Sequence, residues 1–347
     1  MKLYCFERVI ILRNKVSSED VAKLANVSQS TVSRAFTPNA SISAEAKEKV
    51  LKSAKKLNYY PNALARGLIN KESKIIGLAI KNVQNPFYFE ILNKISKRLQ
   101  KEGLSTLYLA AENETLIMQD VEKFLEFNVD GIIITDALLD IKHNEIVNPD
   151  IPIVLFNRYD ERLPFHSVSS ENKKATETIA KLILQHKIKT DIYYISGIEN
   201  TSTNKERKEF FGNYFKRQGI DINIICGEFC YEKTFIEVEE LLIKKIKPKA
   251  IFAANDIMAL AALDALKKHR VKVPEETIVI GYDNIKMSSW ESNDLTTWEQ
   301  PIDEMIEKTI EILKHNSMYT SPQKVTVSGK LVLRRTTQKT LDDESGL

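Results

Sequence analysis

The stretch DVAKLANVSQSTVSRAF, residues 20–36, decides the fold of the N-terminal part of the chain. A helix-turn-helix needs a small residue where its helices cross, a residue that tolerates a left-handed turn, and an apolar anchor in its second helix. Ala22, Asn26 and Val32 meet these three needs in that order. Ser28 precedes the second helix, where its side chain can cap the first turn. The stretch therefore predicts a helix-turn-helix.

A third helix is predicted downstream, so residues 16–60 form a small all-α headpiece. Ser17 and Asp20 resemble a capping box for the first helix, Ser43 can cap the third, and Pro61 ends it. The side chains expected to point inward are Val21, Leu24, Ala25, Val32, Phe36, Val50, Leu51, Ala54 and Leu57.

The charge of the chain is divided unevenly between its two parts. The 347 residues contain 50 Lys and Arg against 47 Asp and Glu, a net charge of only +3. Residues 1–72 hold 13 basic and 6 acidic residues, a net charge of +7, which leaves 37 basic and 41 acidic residues, a net charge of −4, for residues 73–347. A basic helix-turn-helix favours salt-dependent binding to DNA over an ordinary helical bundle with a polar surface.

Composition excludes several other classes of protein. With 43% hydrophobic and 28% charged residues, the chain is neither fibrous nor disordered. Three cysteines, Cys5, Cys226 and Cys230, cannot form a disulfide framework, and no Cys/His spacing indicates a zinc site. The N-terminus has no recognisable signal peptide and no stretch is apolar enough to span a bilayer. We therefore expect a cytoplasmic protein, associated with the nucleoid.

From residue 74 onward, short apolar runs alternate with amphipathic helical segments, which is typical of parallel α/β sheets. Two such sets follow each other and predict two similar lobes with ligand chemistry at the carboxyl ends of their strands. The predicted strands are 75–80, 105–111, 131–135 and 152–157 in the first set, and 191–197, 223–229, 250–255 and 277–283 in the second.

Polar residues gather at these strand ends, whereas no catalytic motif is present. The chain has no G-x-G-x-x-G, no phosphate-binding loop, no H-E-x-x-H and no G-x-S-x-G. Asn157, Arg158, Asn255 and Asp283 suit a polyhydroxylated ligand, because amides, carboxylates and guanidinium groups bond hydroxyls in fixed geometries. Asp256 is expected to cap the helix that follows it, and Asn255 can serve as both cap and ligand contact.

Across residues 16 to 337 the chain resembles the LacI/GalR family of bacterial transcription regulators. The resemblance rests on VSSEDVAKLANVSQSTVSRAF, ISAEAKEKVLKSAKKLNYYPNALARGL, NPFYFEI, ANDIMALAALDAL, VIGYDN and DLTTWEQP. It implies a DNA-binding headpiece, a hinge helix, and a dimeric core similar to periplasmic sugar-binding proteins. The implied boundaries are an N-terminal extension (1–15), the headpiece (16–60), the hinge and linker (61–73), the core (74–338), its N-terminal lobe (about 74–167 and 300–321), its C-terminal lobe (about 168–299 and 322–338) and a tail (339–347).

The same resemblance implies which side chains contact DNA. Gln29 and Ser30 match the most variable base-reading positions, and Leu68 matches a leucine that paired hinge helices insert into the minor groove. The full set of implied DNA contacts is Ser28, Gln29, Ser30, Thr31, Ser33, Arg34, Tyr59, Asn62 and Leu68. Residues 1–15 precede the usual start of the family, either as a true extension or through an upstream start codon.

In the core, the resemblance implies polar effector contacts at Asn157, Arg158, Arg207, Asn255 and Asp283. Aromatic walls, which cover the apolar faces of a sugar ring, are implied at Phe87 and Phe229, with Trp298 as a further candidate. The chain departs from the family pattern at three places: Asn26 replaces the usual turn glycine, Phe210 and Phe211 bring bulk that we expect to reshape the pocket, and Trp298 replaces Ile or Val.

These features predict a homodimeric regulator, most often a repressor in this family, that needs no cofactor or metal. One headpiece reads only a few base pairs, so specificity requires two half-sites of a pseudo-palindromic operator. A sugar or sugar derivative between the lobes is expected to control operator affinity through lobe closure. A solute-binding sensor, an α/β enzyme, a core that responds to a protein partner, and a tetramer remain open as alternatives.

Overall fold

The computed structural model describes residues 16–37, 40–61, 72–80, 85–110, 115–135, 138–140 and 151–338. The chain divides into two compact units, residues 1–73, which contain the predicted headpiece, and residues 74–347, which contain the predicted core. The predicted extension, most of the predicted hinge segment and the predicted tail lie outside the described residues.

Among the described residues of the first unit, three helices form the headpiece: α1 (Ser18–Ala25), α2 (Gln29–Ala35) and α3 (Ala44–Lys56). Each begins after a serine, and the side chains of Ser17, Ser28 and Ser43 each accept a bond from the N–H three residues further on. The backbone N–H of Ser17 in turn donates to Asp20 Oδ2 at 2.9 Å, which completes the capping box. Asn26 adopts the left-handed conformation, with φ 53°. The three caps and the turn are thus confirmed.

The headpiece core is smaller than the sequence predicts. Leu24 and Leu51 were expected to point inward, but each side chain is 43% exposed. Both lie at the edge of their helix's apolar stripe, and small residues are sufficient to fill the space between three short helices. The buried residues are Val21, Ala22, Ala25, Val32, Ala35, Val50 and Ala54.

In its described residues, the core contains two sheets of six strands with helices between the strands, and one small sheet of two strands. In chain order its elements are β1 (Ile75–Ile80), α4 (Pro86–Lys101), β2 (Ser105–Ala110), β3 (Thr115–Ile117), α5 (Met118–Glu126), β4 (Gly131–Thr135), β5 (Leu138–Asp140), β6 (Ile153–Phe156), β7 (His166–Ser170), α6 (Asn172–Gln185), β8 (Ile192–Ser196), α7 (Ser202–Lys216), β9 (Asn223–Cys226), α8 (Tyr231–Ile243), β10 (Ala250–Ala253), α9 (Asp256–Lys268), β11 (Ile278–Asp283), β12 (Thr296–Glu299), α10 (Ile302–Lys314), β13 (Lys324–Val327) and β14 (Lys330–Val332).

The two sheets have similar strand orders. The first is β13-β7-β6-β4-β1-β2 and is parallel throughout. The second is β14-β12-β11-β10-β8-β9, in which only the edge strand β14 runs antiparallel to its neighbour. All eight apolar runs form strands inside their predicted ranges, and helices on both faces explain why most of these strands are buried on both sides. The predicted fold of two parallel-sheet α/β lobes is confirmed.

Several strands escape prediction because they are not apolar. Strand β7, with the sequence HSVSS, is buried throughout although three of its five residues are serines. Strand β12 (TTWE) also lacks an apolar run. A small parallel pair, β3 with β5, and the edge strands β13 and β14 complete the set that sequence periodicity does not indicate.

The predicted boundaries between the lobes are wrong by several residues. Strand β7 continues to Ser170 in the first sheet, so the chain leaves the N-terminal lobe after that residue and not at 167. Strand β13 was expected in the C-terminal lobe, yet it pairs with β7 in the first sheet, with Val327 opposite Ser170. After β13 the chain therefore passes from the N-terminal lobe to the C-terminal lobe between Val327 and Lys330, because β14 pairs in the second sheet.

Within the described ranges, no helix combines the length and apolarity that crossing a bilayer would require. The same part of the chain holds no group of three or more His, Cys, Asp or Glu residues placed to bind a metal ion.

Candidate functional site

The carboxyl ends of strands from both sheets border one cavity between the two lobes of the core. The N-terminal lobe contributes the first turn of α4 and the residue after β6, and the C-terminal lobe contributes the residues that follow β8, β9 and β10 and the end of β11. This is the position where parallel α/β sheets bind ligands. The lining residues are Asn85, Phe87, Tyr88, Asn157, Ile198, Thr203, Arg207, Glu228, Phe229, Asn255 and Asp283.

Arg207, on α7, is the basic residue of this lining and is only 2% exposed. Its Nε donates to Asn172 Oδ1 at 2.9 Å, and its Nη1 donates to the carbonyl oxygen of Ala254 at 2.5 Å. Its guanidinium carbon lies 3.5 Å from the centroid of the Tyr282 ring. The remaining nitrogen, Nη2, is buried and has no hydrogen-bond partner among the described residues. The guanidinium is therefore fixed, and the two N–H groups of Nη2 are available to a ligand.

The amide of Asn157 provides a matching acceptor. The residue follows β6 in a left-handed conformation, with φ 62°, and its N–H donates to the carbonyl oxygen of Val168 at 2.7 Å. Its side-chain Oδ1 is buried and, within the described ranges, has no hydrogen-bond partner. Because an unsatisfied buried oxygen destabilises the fold, we expect a bound ligand or water to occupy this position.

Asn255 and Asp283 border the cavity from neighbouring strands of the second sheet. Asn255 caps α9, and its Oδ1 accepts a bond from the N–H of Met258 at 2.9 Å. Asp283, at the end of β11, is 5% exposed, and its Oδ1 accepts a bond from Gln300 Nε2 at 2.7 Å. The expected capping role of Asn255 is confirmed.

Two phenylalanines supply apolar walls. Phe87 is buried in the first turn of α4, with its ring edge-on to Tyr88 at a centroid distance of 5.2 Å. Phe229 occupies a left-handed turn after β9, with φ 59°, and its ring lies against Gly197. A Cβ atom at position 197 would lie 2.0 Å from Phe229 Cζ, so this ring position requires glycine there.

Asn172 positions Arg207, and sequence reasoning missed it. Its Oδ1 accepts from Arg207 Nε and from the Tyr282 hydroxyl at 2.9 Å each, while its Nδ2 donates to Glu206 Oε2 at 2.7 Å. The residue stands at the first turn of α6, where a polar side chain is ordinarily a cap. Only the bonds to residues 34 or more positions away reveal its role.

Asp256 does not cap α9, contrary to expectation. Its carboxylate is fully buried and accepts bonds from the N–H of Ile285 at 2.9 Å and from the hydroxyls of Ser288 and Thr297 at 2.6 Å each. Desolvation raises the pKa of Asp256 to about 6, although these bonds oppose the shift. The residue therefore links α9, β12 and the segment after β11, and it does not line the cavity.

The structure brings together six of the seven predicted effector contacts; Arg158, although buried, is not among the described residues that line the cavity. Trp298, the further candidate, is buried in the hydrophobic core and is not among the described residues that line the cavity. Phe211 likewise packs in the core, 5.0 Å from Phe215 between ring centroids, and neither it nor Phe210 lines the cavity.

Five residues of the lining were not predicted from the sequence: Asn85, Tyr88, Ile198, Thr203 and Glu228. Of these, Ile198 and Glu228 could have been found as residues that follow strands.

The predicted DNA-contacting side chains of the headpiece form an exposed polar face on α2. Ser28, Gln29, Ser30, Ser33 and Arg34 are exposed and Thr31 is half-buried. The Ser28 hydroxyl lies 2.8 Å from the hydroxyls of both Ser30 and Thr31. Gln29 Nε2 donates to Ser18 Oγ, also at 2.8 Å. The face is thus internally bonded before any DNA is present.

Tyr59 is half-buried and packs against Phe36, with 6.0 Å between the ring centroids. The Tyr59 side chain packs against the hydrophobic cluster of the headpiece, and the rest of its surface is accessible to solvent. Asn62 and Leu68, the two other predicted DNA contacts, lie outside the described residues.

Comparison with known proteins matches both units. Residues 19–62 match the model of bacterial regulatory proteins of the lacI family, and residues 184–337 match a periplasmic binding protein-like domain. The ribose operon repressor of Escherichia coli (strain K12) is 31% identical over 306 residues, which cover 86% of this chain and 92% of that protein. The repressor PurR of Photobacterium profundum is 30% identical over 301 residues, covering 85% and 90%.

A solved structure extends the likeness over nearly the whole fold. The lac repressor dimer bound to operator and the anti-inducer ONPF superposes with a TM-score of 0.81 at 25% identity, covering 93% of this chain and 99% of that one. The headpiece and the two-lobed core thus define a DNA-binding transcription regulator with an effector-binding core. The chain belongs to the lacI family of bacterial regulatory proteins.

Proposed function

We propose that this protein is a repressor that binds a pseudo-palindromic operator as a homodimer, and that a sugar or sugar derivative in the core cavity controls its operator affinity. The observation that carries the effector class is that Arg207 and Asn157, which both line the cavity, each hold a buried polar atom, Nη2 and Oδ1, with no hydrogen-bond partner among the described residues. One is an unsatisfied buried donor and the other an unsatisfied buried acceptor, and both belong to residues of one cavity. A hydroxyl group both donates and accepts, so neighbouring hydroxyls of a sugar would satisfy both atoms.

The other lining residues support the same class of ligand. Phe87 and Phe229 can cover the apolar faces of a sugar ring, while Asp283 and Asn255 can bond its hydroxyl rim. The ribose operon repressor is among the relatives that cover most of this chain. A further structural relative from Alkaliphilus metalliredigens QYMF, 25% identical with a TM-score of 0.66 over 77% of this chain, was solved in complex with D-xylulofuranose.

For DNA, the proposal assigns base and phosphate contacts to the polar face of α2, with further contacts from Tyr59, Asn62 and Leu68. The lac repressor structure with this fold is a dimer on its operator, which supports the same assembly here. Two headpieces are needed because one reads too few base pairs to select a site.

Regulation would act through the relation between the lobes. Tyr159, in the N-terminal lobe, contacts α7 of the C-terminal lobe twice: its N–H donates to Ser202 Oγ and its hydroxyl donates to Glu206 Oε1, both at 3.1 Å. Arg207 is the next residue along α7, so an effector bound by this arginine would stabilise the closed arrangement. A ligand can shift the DNA-binding equilibrium only as far as it prefers one arrangement over the other.

A thermal-shift screen of the purified protein tests the effector class. Neutral pentoses and hexoses, sugar acids, and nucleobases are compared at equal concentration, and we expect a pentose or hexose to raise the unfolding temperature. The same sugar is then added during fluorescence anisotropy with the DNA upstream of the protein's own gene, and we expect operator affinity to change at least tenfold. Stabilisation by nucleobases alone would overturn the sugar assignment, and turnover of the sugar would overturn the regulator assignment in favour of an enzyme.

A further inference from the structure

The first helix of the headpiece holds a base-reading side chain of the second. Ser18 is the first residue of α1 and half-buried, and Gln29 is the first residue of α2 and exposed. Gln29 Nε2 donates to Ser18 Oγ at 2.8 Å, across eleven positions of the chain. Ser17 and not Ser18 provides the helix cap, so the hydroxyl of Ser18 has no capping task in α1.

This bond restricts which hydrogen-bonding groups Gln29 can present to DNA. A glutamine amide has two N–H donors and one carbonyl acceptor. With one N–H bound to Ser18, a single N–H and the carbonyl oxygen remain.

Adenine matches this pattern in the major groove, and guanine does not. Adenine offers an acceptor at N7 beside a donor at N6, whereas guanine offers two acceptors, N7 and O6. A mobile glutamine could direct both N–H groups at guanine, but one held by Ser18 has a single N–H left. Thymine and cytosine present one major-groove hydrogen-bonding group each, so they allow only a single bond.

The side chains next to Gln29 are less suited to select a base, because they are bonded to one another. The hydroxyl of Ser30 lies 2.8 Å from that of Ser28 and receives a long bond, 3.4 Å, from Arg34 Nη2. Thr31 is likewise bonded to Ser28. Short hydroxyl side chains in such a chain of bonds carry little base preference of their own, since a hydroxyl can donate or accept.

We infer that Ser18 is a positioning residue for operator recognition, which fixes the Gln29 amide so that it selects adenine at one base pair of each half-site. The inference rests on the proposed role of α2 in reading DNA and adds the base that is chosen and the residue outside α2 that enforces the choice. Holding the amide in advance also reduces the side-chain freedom that is lost on binding.

The test begins by selecting operator sequences from random duplexes with the full-length protein at physiological salt. Anisotropy then compares four duplexes that differ only at the selected base pair. We expect the wild type to prefer adenine about tenfold, as one bidentate contact allows, and Gln29→Ala to remove this preference. Ser18→Thr keeps the hydroxyl and should retain the preference, whereas its isosteric partner Ser18→Val should reduce it to about twofold.

Affinity for unrelated DNA serves as the control, because a merely structural role of Ser18 would lower specific and nonspecific binding together. Ser18→Val should leave nonspecific affinity unchanged, and it should have no further effect on base preference in a Gln29→Ala background. A preference for guanine, or an undiminished adenine preference in Ser18→Val, would overturn the inference. If the wild type selects no sequence at all, the proposed function itself is wrong.

Discussion

The guanidinium of Arg207 lies over the ring of Tyr282, with 3.5 Å between the guanidinium carbon and the ring centroid. Both side chains also bond to one atom, Asn172 Oδ1, at 2.9 Å. The arginine is therefore held on one face by an aromatic ring and on one edge by an amide, and the N–H groups of Nη2 remain for a ligand. Such a site depends on the planar fork of arginine and not on positive charge alone.

Replacing Arg207 by lysine should therefore abolish most effector binding although the charge is kept. A lysine ammonium cannot reach Asn172 Oδ1 and the Ala254 carbonyl together, and it has no planar group to stack on the Tyr282 ring. We expect effector affinity, measured by calorimetric titration, to fall about a hundredfold, which corresponds to about 2.7 kcal/mol. Arg217→Lys, at the exposed end of α7, is the matched control and should bind like the wild type. Equal affinity in both variants would show that Arg207 does not contact the effector.

The contact of Tyr159 with Glu206 should stabilise the closed core. Burial, with the nearby carboxylate of Glu206, raises the pKa of Tyr159 to about 12, so the hydroxyl remains a donor at neutral pH. Tyr159→Phe removes this one bond between the lobes, worth about 1 kcal/mol, and effector affinity should fall about fivefold. Tyr231→Phe removes a similar bond, to Asp264 at 2.6 Å, within the C-terminal lobe alone. If both variants lose affinity equally, the effect is not one of lobe closure.

The parts of this structure that could be predicted are those that depend on neighbouring residues in the sequence. Apolar runs predict the central strands, and serine and asparagine predict the caps and the left-handed turn of the headpiece. Strand β7 was missed because its serines are buried only by virtue of distant partners, such as the Tyr282 hydroxyl 3.1 Å from Ser170 Oγ. Asn172 was missed and Asp256 was misjudged for the same reason, since a polar residue at the start of a helix looks like a cap until residues far along the chain are seen to bond to it.

Gly197 should be essential to the wall that Phe229 forms. An added Cβ would lie 2.0 Å from Phe229 Cζ, so Gly197→Ala must displace the ring from the cavity wall. We expect at least a tenfold loss of effector affinity and a loss of about 1–3 kcal/mol of stability, as for other overpacked sites. Gly212→Ala, on α7, is the matched control, because its Cβ would meet only Ile222 Cδ1 at an ordinary 3.7 Å. Calorimetric titration and denaturant unfolding of both variants distinguish a specific effect from a general one.

The buried carboxyl of Asp256 should make the core less stable as the pH rises from about 4 to about 6. Desolvation raises its pKa from 3.8 to about 6 in the folded protein, so between these values the folded state binds a proton that the unfolded state has released. This stabilisation is complete below pH 4 and is lost as the pH passes 6.

The loss from this group amounts to about 3 kcal/mol, at 1.36 kcal/mol for each pKa unit. Asp256→Asn keeps the size of the side chain but cannot ionise, and its amide can still bond the hydroxyls of Ser288 and Thr297 because these can reverse their direction. Other groups titrate in both proteins, so the quantity to measure is the difference between the unfolding free energies of wild type and variant at pH 4, 5, 6 and 7. That difference should shift by about 2 kcal/mol in favour of Asp256→Asn across this range, because the unfolded carboxyl is already more than half ionised at pH 4. A pH-independent difference would mean that the carboxyl is already ionised in the folded core at pH 4.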